Sequence, residues 1–407
     1  MKVLNIFSAH DRCRMAIVLA ACIIAVLNTT ITYGREYTFE YQVEAGGEAN
    51  DNVRLTPDDE KELTGGVLII PASITARSER LETALNGELA FSRYDEENWD
   101  SDDQDLRASA KYLLERGDIK GYARYKRDST RTSEFLDTGV VGFDAERRET
   151  ATLGVSGSRF FTERNGLSGG LDYRDVDYDS IRRDDYDFTK GYAGWLHQWT
   201  ERTELTAQAY FSRSQQDGIL FDEDTDGIGA RFGFSSTVSE NLDASLLLGW
   251  VHVKTDYSSD LPDSPEDSDS DELLMKAALA YRLERHTLNA SISSEPEPSG
   301  GGGVYSDLKA DLKYRFLITE RSRFDMTFIV GHRSAVDDRN AVDDRNSNDR
   351  DFARLRVRLD YRFSPSWYVA GSYQYSYQDR KQAAGSADSN QIRLSLIFQP
   401  QESKWSR

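Results

Sequence analysis

Thiols are almost absent from this chain. Its two cysteines, Cys13 and Cys22, both fall near the start. A mature chain beginning beyond them has no disulfide and no cysteine-based metal site, which suits a polypeptide that crosses an oxidising compartment before folding. Long apolar runs are scarce as well. Only Met15–Leu27 comes near a span, whereas a bundle of membrane helices needs runs of about 20 apolar residues. Helical bundles are therefore excluded. A β-barrel is not, because only alternate residues of its strands meet lipid. Histidine is rare, with five in the chain, and His197, His252, His286 and His332 lack any recognisable nucleophile or carboxylate motif around them. Hydrolytic chemistry needs a nucleophile, a base and an orienting group within hydrogen-bond reach, so an embedded hydrolase is the least supported class. No glycine-rich phosphate loop follows a strand, since Gly300–Gly303 come after Pro298 and read as a flexible linker. No nucleic-acid module is visible.

The start of the chain is organised differently from the rest. Lys2, Arg12 and Arg14 flank the apolar Met15–Leu27, and Thr32-Tyr33-Gly34 places small residues before a cut. Residues 1–34 thus read as a secretory signal peptide, followed by a main domain over 35–399 and a short tail over 400–407. A retained anchor is the alternative. Leu19-Ala20-Ala21-Cys22 also spells a lipoprotein box, but it interrupts the apolar run instead of closing it.

Beyond residue 34 a short turn recurs. It appears as Ser78-Glu79-Arg80, Glu115-Arg116-Gly117, Thr162-Glu163-Arg164-Asn165, Thr200-Glu201-Arg202-Thr203, Ser239-Glu240-Asn241, Glu284-Arg285-His286 and Thr319-Glu320-Arg321-Ser322, with Ser364-Pro365-Ser366 as an eighth. Each turn lies between two segments of period-two alternation. Tyr37, Phe39, Tyr41, Val43 and Ala45 alternate with Thr38, Glu40, Gln42 and Glu44; Leu355, Val357, Leu359, Tyr361 and Phe363 alternate with four arginines and an aspartate. Two strands per turn plus one at each end predict an all-β fold: a transmembrane antiparallel up-and-down barrel of about 18 strands. Its short turns would be periplasmic, its long acidic loops extracellular, and its address the bacterial outer membrane. Trp195, Trp199, Tyr314, Phe316, Tyr361, Phe363, Trp367 and Tyr368 gather near the turns, as interfacial girdles do. Gln391–Phe398 reads as the last strand, with Pro400–Arg407 trailing beyond it.

The net charge of −20 hides a sorting of signs. Acidic residues crowd the loops at Asp95–Asp105, Asp217–Asp226 and Asp260–Glu272, mainly as solvated surface. These loops could also hold divalent cations beside lipopolysaccharide. Asp222, Asp224 and Asp226 before Gly227 match the D-x-D-x-D-G opening of a calcium loop, although Gly233 stands where the closing glutamate belongs. At most a weak calcium site at a loop is expected there, and no other cofactor.

The non-lipid faces carry the opposite sign. Arg354, Arg356, Arg358 and Arg362 form a ladder with about 7 Å per step. Lys309, Lys313, Arg315, Arg124, Lys126 and Arg393 share such faces, as do Arg107, Lys111, Lys120, Arg231, Lys276 and Arg282. Carboxylates there are fewer: Glu40, Glu44, Glu88, Asp172, Asp311, Asp325 and Asp360. Arginine forks bind carboxylate, sulfate or phosphate bidentately, so these residues are a candidate solute path. They are equally candidates for bracing the wall against neighbouring carboxylates, with Glu40 and Glu44 facing Arg393 across the closing seam.

The segment Tyr41–Pro57, YQVEAGGEANDNVRLTP, joins a first strand to a polar stretch. Together with the T-E-R turns it resembles outer-membrane barrels encoded with exopolysaccharide synthesis systems, of the second β-barrel porin type. The resemblance implies movement of a surface polysaccharide, with periplasmic export machinery as an expected partner, and brings no catalytic residues. Two functions follow as expectations: a conduit for an anionic polysaccharide, or a diffusion pore for small anionic solutes. No loop presents itself as an inward constriction, and the repeat Ala335–Asn340 and Ala341–Asn346 reads as expansion of a tolerant surface loop.

Overall fold

The computed structural model describes residues 36–406 apart from 59, 131–145, 181–182, 219–221, 259–266, 337–348 and 381–384. The expected signal peptide, most of the duplicated loop and the first part of the Asp260–Glu272 run lie outside these residues. The strand segments are β1 (Glu36–Tyr41), β2 (Val43–Asn50), β3 (Leu63–Arg77), β4 (Leu81–Tyr94), β5 (Ser101–Leu114), β6 (Gly117–Ser129) and β7 (Arg147–Phe160). They continue with β8 (Asn165–Tyr178), β9 (Asp185–Thr200), β10 (Thr203–Asp217), β11 (Asp222–Ser239), β12 (Leu242–Ser258), β13 (Ser268–Arg282) and β14 (His286–Ser294). The last are β15 (Pro296–Pro298), β16 (Val304–Leu317), β17 (Ser322–Ala335), β18 (Arg350–Ser364), β19 (Trp367–Arg380), β20 (Gly385–Phe398) and β21 (Ser403–Ser406). A 3-10 turn, Glu97–Trp99, links β4 to β5.

Three pairs of segments continue one another, β1 with β2, β14 with β15 and β20 with β21, so that eighteen strands result. Each pairs antiparallel with its sequence neighbour. The sheet then closes on itself where β2 meets β20, from Val43↔Phe398 to Asn50↔Gln391, and where β1 meets β21. Closure satisfies the ladder of every strand, which is the condition for crossing hydrocarbon without helices. Residues Ser403–Ser406, expected as part of a trailing tail, instead extend the last strand by pairing with Glu36–Phe39, and Trp405 stacks on Tyr37 at 5.5 Å.

The alternation read from the sequence sets the two faces. Ile228 is 73% exposed and Trp199 66%, whereas Val251 on the other face is 0% exposed. A band of exposed Leu, Ile, Val, Phe and Trp around the whole cylinder would be anomalous against water; against lipid it is the expected wall. Near the short turns, outward rings pair up: Trp367 with Phe398 at 5.1 Å, and His286 with Phe316 at 4.5 Å. Tyr368, expected in the same girdle, instead shares the inward parity of β19 beside Glu40 and Arg362. Its neighbour in sequence, Trp367, takes the outward place.

Inside, polar contacts tie strands together. Tyr122 on β6 donates to Asp172 on β8 at 2.7 Å, passing over Gly154 of the intervening β7. A Cβ at Gly154 would lie 2.2 Å from the Tyr122 ring and 2.5 Å from Asp172, so only glycine leaves the bond its path. At the closing seam Glu48 accepts from Arg393 Nε at 2.9 Å and Nη2 at 2.5 Å, and from Gln391 Nε2 at 2.9 Å. Tyr94 also donates to Glu48. The expected partners were Glu40 and Glu44. Glu44 turns instead to Arg358, because the register places Glu48, not Glu44, opposite Arg393.

Glu48 is buried and holds three groups across the seam. Glu48→Ala should therefore leave Arg393 uncompensated and cost about 3 kcal/mol or more. The measurement is the temperature at which the folded, fast-migrating form converts to the unfolded form on a semi-native gel; an unshifted transition would show that the seam does not depend on this carboxylate.

Candidate functional site

The lumen is the candidate site, and two connections fold into it. The first is the segment after β2. Leu55 adopts a left-handed backbone (φ 49°) and packs against Ile329, Phe352 and Ala387 of β17, β18 and β20. Gln378 donates to the Leu55 carbonyl at 2.6 Å, and Asn52 Nδ2 donates to the carbonyls of Thr56 and Asp388 at 2.9 and 3.0 Å. Val53 packs beside Leu63 and Trp99. The second is the end of the β14–β16 hairpin, Ser294–Gly303, in which Pro296–Pro298 stay paired with Val304–Ser306 of β16 while the side chains reach β8–β10. Lys190 of β9 bonds Glu295 at 2.9 Å and Glu297 at 3.3 Å, while Arg174 of β8 reaches Glu297 at 3.1 Å. Gln216 of β10 exchanges two hydrogen bonds of 3.2 Å with the Gly303 backbone. Gly300 fits against Tyr178 where a Cβ would lie 2.3 Å from the ring.

Both findings correct the sequence reading. No inward loop was expected, and Gly300–Gly303 were taken for a flexible linker. The glycines instead allow close packing of a fixed strap that runs from β14 back to β8–β10. Its anchoring residues, Arg174, Lys190, Gln216, Glu295 and Glu297, were not singled out, because their partners lie more than 80 residues apart in sequence. The one available signal was a pair of glutamates set between prolines, in a loop otherwise free of charge.

The anticipated cationic path divides into two kinds of residue. Several of its members are ion-paired. Arg358 bonds Glu44 at 3.1 Å and Asp360 at 2.7 Å, Arg393 bonds Glu48, and Arg315 bonds Asp325 at 2.7 Å. Arg124 forks onto Asp105 at 2.9 and 2.5 Å, and Lys126 meets Asp128 at 2.5 Å. Arg362 donates to the Glu320 carbonyl at 3.2 Å near the turns, and Arg231 lies over Tyr210 at 4.7 Å. Asp105, Asp128 and Glu48 were not counted among the facing carboxylates, and they absorb much of the excess positive charge. Lys111, Lys276, Lys313 and Arg356 remain exposed on the inner face, with no hydrogen-bond or ion-pair partner among the described residues. Arg354 and Lys309 also lie on this face. A cavity of about 480 Å³ is lined by Arg354, Arg356, Arg358 and Arg393, by Glu44, Glu48 and Glu88, and by Asn52, Val53 and Leu55 of the inward segment.

The strand register arranges these groups in rows. One runs Arg315, Asp325, Arg358, Ser372, Arg393, Glu48 across β16–β20 and β2, with charges that cancel through the contacts above. Two residues further from the turns lies the row Lys313, Thr327, Arg356, Gln374, Gln391, Asn50. It contains two cations and no carboxylate.

The calcium reading of Asp222, Asp224 and Asp226 meets a different geometry. These residues belong to β11, an extended strand paired on both sides, so the carboxylates stand along one side about 7 Å apart instead of curling round an ion. Gln215 donates to Asp224 at 2.9 Å, and Arg213 lies 3.9 Å from Asp226. Among the described residues no three His, Cys, Asp or Glu side chains converge as metal ligands. The four histidines all have outward parity, two of them against aspartates: His252 with Asp271 at 3.1 Å and His332 with Asp351 at 2.7 Å.

No family model matches this chain, and no curated protein sequence does. Solved structures similar to it are outer-membrane barrels. The alcaligin outer-membrane receptor FauA of Bordetella pertussis is 12% identical with a TM-score of 0.37, over 88% of this chain and 76% of its own. OccAB3 of Acinetobacter baumannii is 10% identical with a TM-score of 0.40, over 91% and 99%. A bacterial polysaccharide outer-membrane secretin is 9% identical with a TM-score of 0.32, over 89% and 98%. The closed eighteen-strand cylinder, its apolar outer band and its unequal rims define the class: this is a bacterial outer-membrane β-barrel with a porin- or transporter-like fold.

The hairpin end Ser294–Gly303 is held against the inner face of β8 and β9 by three ion pairs. Replacing both carboxylates (Glu295→Gln with Glu297→Gln) should release it and raise single-channel conductance in planar bilayers. Conductance equal to that of the unaltered barrel would mean that the strap does not obstruct the path.

Proposed function

We propose that this barrel is a conduit through which an anionic exopolysaccharide leaves the cell. The observation that carries this reading is the set of cations left exposed on the inner face. Lys111, Lys276, Lys313 and Arg356 make no ion pair with a described carboxylate, whereas Arg124, Lys126, Arg315, Arg358 and Arg393 each do. Fixed positive charge in a water-filled passage concentrates anions and speeds their entry. Weak, repeated contacts let a polymer advance without being trapped. The amide and hydroxyl groups between the cations suit a chain rich in hydroxyls, and the acidic outer loops repel an anionic product once it emerges. The resemblance carried by Tyr41–Pro57 points the same way.

A second reading, a diffusion pore for small anions, is favoured by the two inward connections. With both in place the mouth is narrowed, and small solutes pass such a mouth more readily than a polymer. The two readings share selectivity and differ in cargo.

In planar bilayers at asymmetric salt the reversal potential should show anion preference. Removing the gene should abolish the polymer outside the cell while leaving uptake of small anions intact. Unchanged secretion with impaired uptake would reject the conduit in favour of the small-solute pore, and cation preference would reject both.

A further inference from the structure

The two neighbouring rows on the β16–β20 wall have the same kinds of backbone and opposite electrostatic economies. In the row nearer the turns each cation is matched: Arg315 by Asp325, Arg358 by Glu44 and Asp360, and Arg393 by Glu48. Arg323 adds its own contact to Asp325 at 2.8 Å. This row braces the wall. Seven ångströms or so further along the strands, Lys313 and Arg356 are separated only by Thr327, and Gln374 and Gln391 continue the row on the next two strands. Both cations are exposed and bond no described residue. The carboxylates closest to Arg356, Glu44 and Glu48, are already held by Arg358 and Arg393, so they are not available to it without breaking the brace.

Adjacent strands lie about 4.8 Å apart, which sets Lys313 and Arg356 about 10 Å from one another at the backbone. Their long side chains can close on one acidic group or on acidic groups of successive sugar units. Arg356 offers a planar fork that fits a carboxylate; Lys313 offers a compact charge. The Gln374 amide and the Thr327 hydroxyl can each donate and accept, while Gln391, whose Nε2 already donates to Glu48 at 2.9 Å, offers its carbonyl oxygen. That is the complement of sugar hydroxyls. Arg356, Gln374 and Gln391 also line the cavity beside Leu55, so this end of the row faces a space, one that Glu44, Glu48 and Glu88 line as well.

We infer that Lys313, Thr327, Arg356, Gln374 and Gln391 form a binding row for a carboxylate-bearing oligosaccharide, with the two cations taking the acidic groups and the three neutral side chains the hydroxyls. The inference rests on the conduit reading and refines it to one wall and one chemistry: a uronate-type chain. The row below, though richer in arginine, is a structural brace and contributes little to ligand binding.

Titration calorimetry of the detergent-purified full chain with an oligogalacturonate tests this, using an uncharged oligosaccharide of equal length as the comparison. The acidic chain should bind more tightly than the neutral one, and the preference should shrink as salt is raised. The double variant Lys313→Gln with Arg356→Gln should weaken binding of the acidic chain about tenfold or more, while Arg356→Lys, which keeps the charge and loses the fork, should fall between. All variants are first checked for heat-modifiable migration, and Arg356→Lys carries the test if the double variant fails to form the barrel. The inference is overturned if the double variant binds as well as the unaltered barrel, if the neutral chain binds equally well, or if the unaltered barrel binds neither. Loss of secretion on gene deletion together with unaltered binding by the double variant would remove the row and keep the conduit. Retained secretion on deletion would remove the conduit itself.

Discussion

Everything in this structure follows from the requirement that backbone amides and carbonyls find partners inside the cylinder wall, since hydrocarbon offers none. A single unpaired edge would expose a row of such groups, each costing several kcal/mol. The chain meets the requirement by joining its ends: β2 lies against β20, and β1 against β21. Once the edges are joined, the two faces of every strand have different solvents. The outer one must be apolar, and the inner one is free to carry charge.

That freedom is used in two ways that the side-chain contacts separate. Paired charges at the seam and on β16–β18 lock neighbouring strands in register, much as Tyr122 and Asp172 do across Gly154. Lys313 and Arg356 make no ion pair within the described wall and stand exposed on its inner face. A buried pair is expensive to break and modest in what it adds; an exposed cation facing water in a narrow passage costs little and acts on whatever enters. The same residue types are therefore ion-paired on one row and left without ion-pair partners on the next.

The inward connections add a further layer. Leu55 and the strap from Ser294 to Gly303 reach across several strands to their partners, so their positions depend on the closed cylinder being formed first. They are held by a few ion pairs, hydrogen bonds and two small apolar clusters, one around Leu55 and one around Val53. Elements of this kind occupy the low-stability end of a fold and are the ones able to move.

The order of residues along the chain determined the strand count, the hairpin connectivity, the outward identity of alternate residues and the unequal rims. These are local properties: a period of two and a short polar turn are visible within one hairpin. The lengths of the turns also fixed which rim was which. What only the tertiary structure decided was the pairing of charge. Arg393 finds Glu48 and not Glu44 because closure sets the register between the first and last strands, 345 residues apart. Asp222, Asp224 and Asp226 spell a metal loop in one dimension, yet pairing on both sides draws them out straight. Gly300–Gly303 read as slack until a wall six strands away supplies Lys190, Arg174 and Tyr178 to pack against. Alternation is written in neighbours, and a lumen is made by residues that become neighbours only when the barrel closes.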